Sequence, residues 1–192
     1  MKFIFDFDDV LFNTRKFKEQ IYLSVEKIGI PRSVEEECYK EFRKYAFSLK
    51  KFLSYLFDKE KKENVSVDGI YEEIMFDCKS FLNQELVEMV RNLGATNSFI
   101  VTSGDKEFQF DKIKRAGVES LFLEIIVVPE SKKGEIEKLC AKYKNEKVIF
   151  VDDKIQFFKD LDMSKYSNLK TILYDEHGLE KLKAEINVKG HL

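Results

Sequence analysis

The sequence predicts an α/β protein with a doubly wound parallel sheet, interrupted by an all-helical insertion. Five short segments are near-continuous runs of aliphatic and aromatic residues, as expected for parallel strands covered on both faces. Helix-length stretches with an apolar period near 3.6 separate the last four segments, and this alternation is typical of a doubly wound sheet. The 192 residues are enough for one domain that carries a smaller insertion.

The order of the elements follows from these runs. The predicted strands are 2–7, 98–102, 124–128, 147–151 and 170–174. The predicted helices of the sheet region are 106–116, 134–143, 155–161 and 177–186. Gly117 directly follows the first of these helices, where a glycine is the favoured residue at the C-terminal end.

Residues 15–82 contain no convincing strand, and we expect them to form a helical insertion between the first two strands. Apolar positions between 17 and 28 share one helix face, and a Gly-Ile-Pro sequence ends that helix. Ser33 and Glu36 match a capping box that predicts one long helix, with an apolar stripe from 34 to 56. The predicted division is a core of residues 1–14 and 83–192 and a cap of residues 15–82.

Composition excludes several classes of function. The 33 basic and 35 acidic residues leave a net charge of −2, which provides no broad basic surface for nucleic acid. Three widely spaced cysteines and two histidines argue against a disulfide framework, a zinc site or a histidine-based triad. No apolar run approaches the roughly 18 residues of a membrane span, and no signal peptide is apparent. We therefore expect a cytoplasmic protein without membrane or nucleic-acid partners.

Polar side chains follow the predicted strands where each strand ends. The first strand ends in Asp6 and Asp8, the second in Thr102-Ser103-Gly104, and the fourth in Asp152-Asp153. Lys132 and Lys133 follow the third strand. Ligands bind beyond the carboxyl ends of the strands in open α/β sheets, so these groups are expected to meet. Carboxylates with hydroxyls and an ammonium suit Mg²⁺ and a phosphate group.

The spacing of the first two acids suits covalent phosphoryl chemistry. Residues i and i+2 of an extended segment point the same way, so Asp6 and Asp8 can face one pocket. One carboxylate can attack phosphorus, and the other can protonate the leaving oxygen and then activate water. Thr102 and the N–H groups of Ser103 and Gly104 can hold phosphate oxygens. A lysine nearby offsets the negative charge.

Taken together, DFDDVLFNT, the strand ending in VTSGD, the Lys-Gly of SKKGEIEKL and the strand ending in VDD resemble the haloacid dehalogenase (HAD) superfamily. The motifs stand in family order over residues 6–153, and residues 15–82 match the helical cap of many members. The stretch FQFDKIKRAGVESLF also resembles phosphoglycolate-phosphatase-like members. The resemblance implies a Rossmann-like core and a Mg²⁺-dependent phosphatase that works through an aspartyl-phosphate.

By position, the resemblance implies Asp6 as the nucleophile, Asp8 as the general acid/base and Thr102 as the hydroxyl. It implies Mg²⁺ ligation by the Asp6 side chain, the Asp8 backbone carbonyl and an acid of the fourth motif. For that acid, Asp153 is preferred over Asp152. The expected lysine is Lys133, which precedes the glycine, and Lys132 is the alternative. Together with Thr102, Ser103 and Gly104, Lys133 is expected to bind the substrate phosphate.

The sequence departs from the family pattern at Asp9, where glycine is most frequent, and at Asn13, where an aspartate is common. The cap residues Arg15, Arg43 and Lys44 are weaker candidates for binding an anionic substrate.

The expected function is hydrolysis of a small phosphorylated metabolite by a monomer or weak homodimer. A phosphomutase uses the same residues, and a catalytically silent binding protein of this fold is a second alternative. A dehalogenase is disfavoured because those enzymes lack the second aspartate. A phospho-receiver domain is disfavoured because it has no room for a helical cap.

Overall fold

The computed structural model describes residues 1–42 and 46–187. The strands are β1 (Lys2–Phe5), β2 (Ser98–Ser103), β3 (Glu124–Val128), β4 (Val148–Asp152) and β5 (Leu169–Leu173). The helices among these residues are α1 (Thr14–Lys27), α2 (Arg32–Phe42), α3 (Leu49–Lys59), α4 (Val67–Met75), α5 (Gln84–Leu93), α6 (Lys106–Ala116), α7 (Lys133–Lys142), α8 (Gln156–Lys159) and α9 (Gly178–Asn187).

The five strands form one parallel sheet in the order β3-β2-β1-β4-β5, which confirms the predicted fold class. The central strand β1 lies between β2 and β4, and Phe5 is in register with Ile100 and Val151. The three inner strands are almost entirely buried, whereas the edge strands β3 and β5 are partly exposed. All three of the strands β1, β2 and β4 therefore end next to one another.

Alternate residues of the strands enter two hydrophobic cores on opposite faces of the sheet. Phe5 and Ile100 belong to the core that includes α5, α6, α9 and the helical insertion. Ile4 and Phe150 belong to the second core, which packs against α7. Strand side chains alternate between the faces, so each inner strand needs apolar residues at nearly every position. This requirement explains the continuous apolar runs in the sequence.

The helical insertion differs from the prediction in its second helix. The stretch predicted as one long helix forms α2 and α3, and residues 46–48 between them are not helical. Helix α2 begins at Arg32, so Ser33 lies within the helix and the predicted capping box is wrong. The backbone N–H groups of Val34 and Glu35 instead bond to the carbonyl of Pro31. Arg43 and Lys44 lie outside the described residues.

Helix α5 was not anticipated from the sequence. Asn83 caps the N-terminus of this helix, because its side chain accepts a hydrogen bond from the Leu86 N–H. Leu86, Val87 and Val90 are buried on one face of the helix. The helix leads directly into the turn before β2, and thereby connects the helical insertion to the sheet.

The three cysteines, Cys38, Cys78 and Cys140, are buried and form no disulfide bonds with one another. Within residues 1–42 and 46–187, none of the helices combines the length and apolarity needed to span a bilayer.

Glu35 is a buried acid in the helical insertion. It is 0% exposed, and within the described part of the chain neither carboxylate oxygen has a hydrogen-bond partner. Burial raises the pKa of Glu35 from 4.5 to about 8, and the nearby Lys18 only partly opposes this effect. The folded state therefore holds a proton that the unfolded state releases, so stability falls as pH rises from 4.5 to about 8.

We expect Glu35→Gln to remove most of this pH dependence. The raised pKa corresponds to roughly 5 kcal/mol across the full range, and a buried amide keeps a desolvation cost of about 1–3 kcal/mol. At about pH 8 the variant should therefore be more stable than the wild type by about 2 kcal/mol. Urea unfolding at both ends of the pH range measures this difference. Glu37→Gln, at an exposed position of α2, is the control. Equal pH dependence in Glu35→Gln and wild type would contradict the assignment.

Candidate active site

The carboxyl ends of β1 and β4 bring Asp6 and Asp152 together. Asp6 follows β1, and its N–H donates to the carbonyl of Val151 at 2.9 Å. Asp152 is the last residue of β4. Both side chains are almost completely buried, at 3% and 0% exposure. Two neighbouring buried carboxylates require a positively charged partner, because each is costly to desolvate alone.

That partner is Lys132. Its Nζ lies 2.8 Å from Asp6 Oδ2 and 2.6 Å from Asp152 Oδ2, and its side chain is 0% exposed. The Phe157 ring lies on another side, with its centroid 4.3 Å from Nζ. Burial and the neighbouring Asp6 carboxylate raise the pKa of Asp152, while Lys132 opposes them.

Lys133 lies outside this cluster, contrary to the expectation from the sequence. Its side chain is 46% exposed, and its Nζ donates to the carbonyl of Asp160 at 2.6 Å and pairs with Glu137 at 3.6 Å. Helix α7 begins at Lys133, so consecutive side chains diverge there, and only Lys132 is directed at the strand ends. The lysine at the site is therefore Lys132.

Asp153 completes a group of three acids with Asp6 and Asp152. Each residue offers one carboxylate oxygen, and these oxygens lie within 4.8 Å of one another. Asp152 is committed to Lys132 and to the Lys154 N–H, whereas Asp153 Oδ1 is buried without a hydrogen-bond partner in the described chain. Burial is the main cause that raises the pKa of Asp153 to about 6. The group has the donor set that Mg²⁺ prefers.

Asp8 has a separate set of partners. Its Oδ1 accepts hydrogen bonds from Lys112 Nζ at 2.5 Å and from Thr14 Oγ1 at 3.1 Å, and its Oδ2 accepts one from Gln109 Nε2 at 2.7 Å. Burial alone would raise the pKa of Asp8, but the Lys112 charge and these hydrogen bonds outweigh it and lower the pKa.

The end of β2 supplies the predicted Thr102-Ser103-Gly104 turn. Thr102 is 1% exposed, while Ser103 and Gly104 line the cavity described below. Gly104 has a φ of +145°, and a Cβ there would lie 3.0 Å from Gln109 Nε2. A side chain at this position would thus displace a residue that bonds to Asp8.

The loop after Asp8 accommodates both departures from the family pattern, at Asp9 and at Asn13. Asp9 has a φ of +57°, in the left-handed region that glycine adopts most easily and aspartate tolerates. Its Oδ1 accepts a hydrogen bond from the Thr14 N–H at 3.2 Å. Asn13 caps α1 by accepting from the Lys16 N–H, a role that an aspartate also fills. Both residues are therefore compatible with the loop geometry.

A cavity of about 610 Å³ lies between the helical insertion and this edge of the sheet. Aromatic side chains, including Phe17, Tyr39 and Phe47, line the side of the insertion, and Asp8 lies on the side of the sheet. The lysines that line it are Lys18, Lys112 and Lys154. Arg15 instead lines a different hollow with Asn13 and Tyr174.

Three residues of the site were not identified from the sequence: Gln109, Lys112 and Lys154. The available signal was weak, since Gln109 and Lys112 are polar positions among the buried positions Phe108, Ile113 and Ala116 of α6. Polar residues on an otherwise buried helix face can indicate a site, but only the fold reveals their partners.

Comparisons with known proteins agree with this architecture. The family model for haloacid dehalogenase-like hydrolases matches residues 3–174. None of the curated proteins compared with this chain matches it. A haloacid dehalogenase-like hydrolase structure from Burkholderia xenovorans is 18% identical, with a TM-score of 0.65, 92% of this chain covered and 86% of that chain.

Two further solved structures are similar in fold. A Thermotoga maritima protein described as a β-phosphoglucomutase is 18% identical, with a TM-score of 0.55 and coverage of 94% of this chain and 91% of that one. The L-2-haloacid dehalogenase of Xanthobacter autotrophicus, solved with chloropropionic acid covalently bound, is 12% identical. Its TM-score is 0.55, with coverage of 99% of this chain and 83% of that one. At these identities the similarities show the fold alone.

Proposed function

The chain belongs to the haloacid dehalogenase-like hydrolases, and on that premise we propose that it is a Mg²⁺-dependent phosphatase of small phosphomonoesters. The observation that carries the proposal is the buried contact of Lys132 with Asp6 and Asp152, beside an Asp153 oxygen that has no hydrogen-bond partner among residues 1–42 and 46–187. This arrangement combines a carboxylate that can attack phosphorus with a cation that offsets the phosphoryl charge.

Each residue of the site has its own role in the proposed reaction. Asp6 attacks phosphorus and forms the aspartyl-phosphate, while Asp8 gives a proton to the leaving oxygen and then takes one from the attacking water. Lys132 holds Asp6 in place and offsets charge on the phosphoryl group. Thr102 and the backbone of Ser103 and Gly104 bind phosphate oxygens.

Mg²⁺ is the proposed cofactor. Asp6 and Asp153 would hold it through carboxylate oxygens, and the family resemblance adds the backbone carbonyl of Asp8. Asp153 Oδ1 supports this fit, because it has no hydrogen-bond partner in the part of the chain that the structure describes, whereas a buried carboxylate oxygen normally has one. When bound, the ion supplies positive charge that stabilises the phosphoryl group.

A phosphomutase is the second candidate, since it would use the same residues. The structural similarity to the Thermotoga maritima protein is compatible with it, but reflects the fold alone. A dehalogenase is less well supported, because Asp8 and the Asp153 oxygen have evident roles only in the phosphoryl reaction. The cavity of about 610 Å³ suits a small substrate.

The test is phosphate release from an aryl phosphate and a panel of phosphorylated metabolites, with Mg²⁺ or with EDTA. We expect release with Mg²⁺ and a loss of at least about 100-fold with EDTA, because the bound ion lowers the activation barrier by roughly 3 kcal/mol or more. Restoring Mg²⁺ should restore the rate. Absence of Mg²⁺-dependent turnover on every substrate would contradict the phosphatase proposal, and isomerisation of a sugar phosphate without release would favour the mutase.

A further inference from the structure

Helix α6 carries a buried lysine that the reaction as described above does not use. Lys112 is 3% exposed, and its Nζ lies 2.5 Å from Asp8 Oδ1. The ring centroids of Phe7, Phe12 and Phe108 lie 5.4, 5.2 and 5.0 Å from this nitrogen. In the described ranges, Asp8 is the only carboxylate within 4 Å of it. The ammonium is therefore enclosed by aromatic rings and directed at one acid.

Gln109 lies one turn earlier on the same face of α6. Its Nε2 donates to Asp8 Oδ2 at 2.7 Å and lies 3.3 Å from the Ser103 carbonyl oxygen. Residues three apart on a helix are neighbours, so Gln109 and Lys112 reach the two oxygens of one carboxylate. Thr14 Oγ1 adds a third donor at 3.1 Å from Oδ1. These contacts fix the plane of the Asp8 carboxylate.

Stability alone does not require an ion pair at this position. Burying an ion pair costs desolvation energy, and replacing such a pair by well-packed apolar residues is often neutral or stabilising. Three phenylalanine rings already line the space around Lys112, so most of its surroundings are apolar. The charge is instead placed against a residue that must transfer protons in the proposed reaction.

We propose that Lys112 and Gln109 are positioning residues that orient the Asp8 carboxylate for both proton transfers. The inference rests on the proposed function. In the first step Asp6 forms a bond to phosphorus, the bond from phosphorus to the ester oxygen breaks, and the Asp8 proton moves to that oxygen. In the second, water attacks phosphorus, its proton moves to Asp8, and the bond between Asp6 and phosphorus breaks. Lys112 orients the Asp8 carboxylate through the hydrogen bond from its Nζ to Oδ1.

The experiment is a double-mutant cycle with Lys112→Met, Asp8→Asn and the two combined, measured as kcat and KM with a phosphate ester cleaved by the wild type. Lys112→Met should lower kcat by about 10- to 100-fold, with KM changed by less than about threefold. In the Asp8→Asn background the same substitution should change kcat by less than about threefold, because its target is absent. Lys114→Met, at an exposed position of the same helix, is the control.

The outcomes separate this inference from the proposed function. Equal losses from Lys112→Met in both backgrounds, or an unchanged kcat, would overturn the positioning role while the phosphatase proposal remains. If the wild type released no phosphate, both the phosphatase proposal and the positioning role would be contradicted. If Lys112→Met did not fold, Gln109→Met would replace it in the cycle, since it removes one donor to Asp8 and leaves the ion pair. The same loss of kcat and the same dependence on Asp8 are expected.

Discussion

Asp6→Asn is expected to lower phosphate release by at least about 10⁴-fold, the largest effect on activity that we predict. A carboxamide is a poor nucleophile, so the substitution removes the group that attacks phosphorus. Of the two acids grouped with Asp6, Asp152 is committed to Lys132 and to the Lys154 N–H, and Asp153 is the proposed Mg²⁺ ligand. The measurement is the rate of phosphate release in the presence of Mg²⁺.

A second readout makes this prediction specific to covalent catalysis. Wild-type protein quenched in acid during turnover should carry a phosphoryl label that hydroxylamine removes, as expected for an acyl phosphate, and Asp6→Asn should carry none. Asp58→Asn, at an exposed position of α3, is the control and should behave as the wild type. Comparable turnover in Asp6→Asn would refute the nucleophile assignment.

Lys132→Met is expected to destabilise the protein by about 3–5 kcal/mol, because it leaves the carboxylates of Asp6 and Asp152 buried without their cation. Lys133→Met should change stability by less than about 0.5 kcal/mol, because its side chain is 46% exposed. Urea unfolding of both variants in EDTA measures the difference, and EDTA prevents a bound cation from compensating for the lost ammonium.

These neighbouring lysines form a matched pair for activity as well. Lys132→Met should lower kcat by at least about 100-fold through loss of charge stabilisation, while Lys133→Met should leave it nearly unchanged. A larger effect of Lys133→Met on either stability or kcat would show that the assignment of Lys132 is wrong.

The fold could be predicted because its information is local. Parallel strands buried on both faces need continuous apolar runs, and these identified all five strands of the described sheet. The helical insertion was recognised by its 3.6-residue period, but its second helix was predicted too long. Apolar spacing continues across residues 46–48, and periodicity alone does not reveal that the backbone leaves the helix there.

Most of the site could also be predicted, because parallel strands deliver their last residues to one edge of a sheet. This rule brought Asp6, Asp152 and Asp153 together from two separate motifs. It did not choose between Lys132 and Lys133, since both follow β3. Their side chains diverge where α7 begins, and the exact start of a helix is poorly defined by sequence.

The sequence by itself determined the sheet, the insertion and the acids at the strand ends, because each depends on residues close together in the chain. Only the tertiary structure decided which lysine meets Asp6 and which groups hold Asp8. Lys112 is 104 residues from Asp8 along the chain, and they meet only when α6 packs beside the loop after β1. This packing decides which groups become partners, because a charged side chain that the fold buries needs an oppositely charged neighbour at that position.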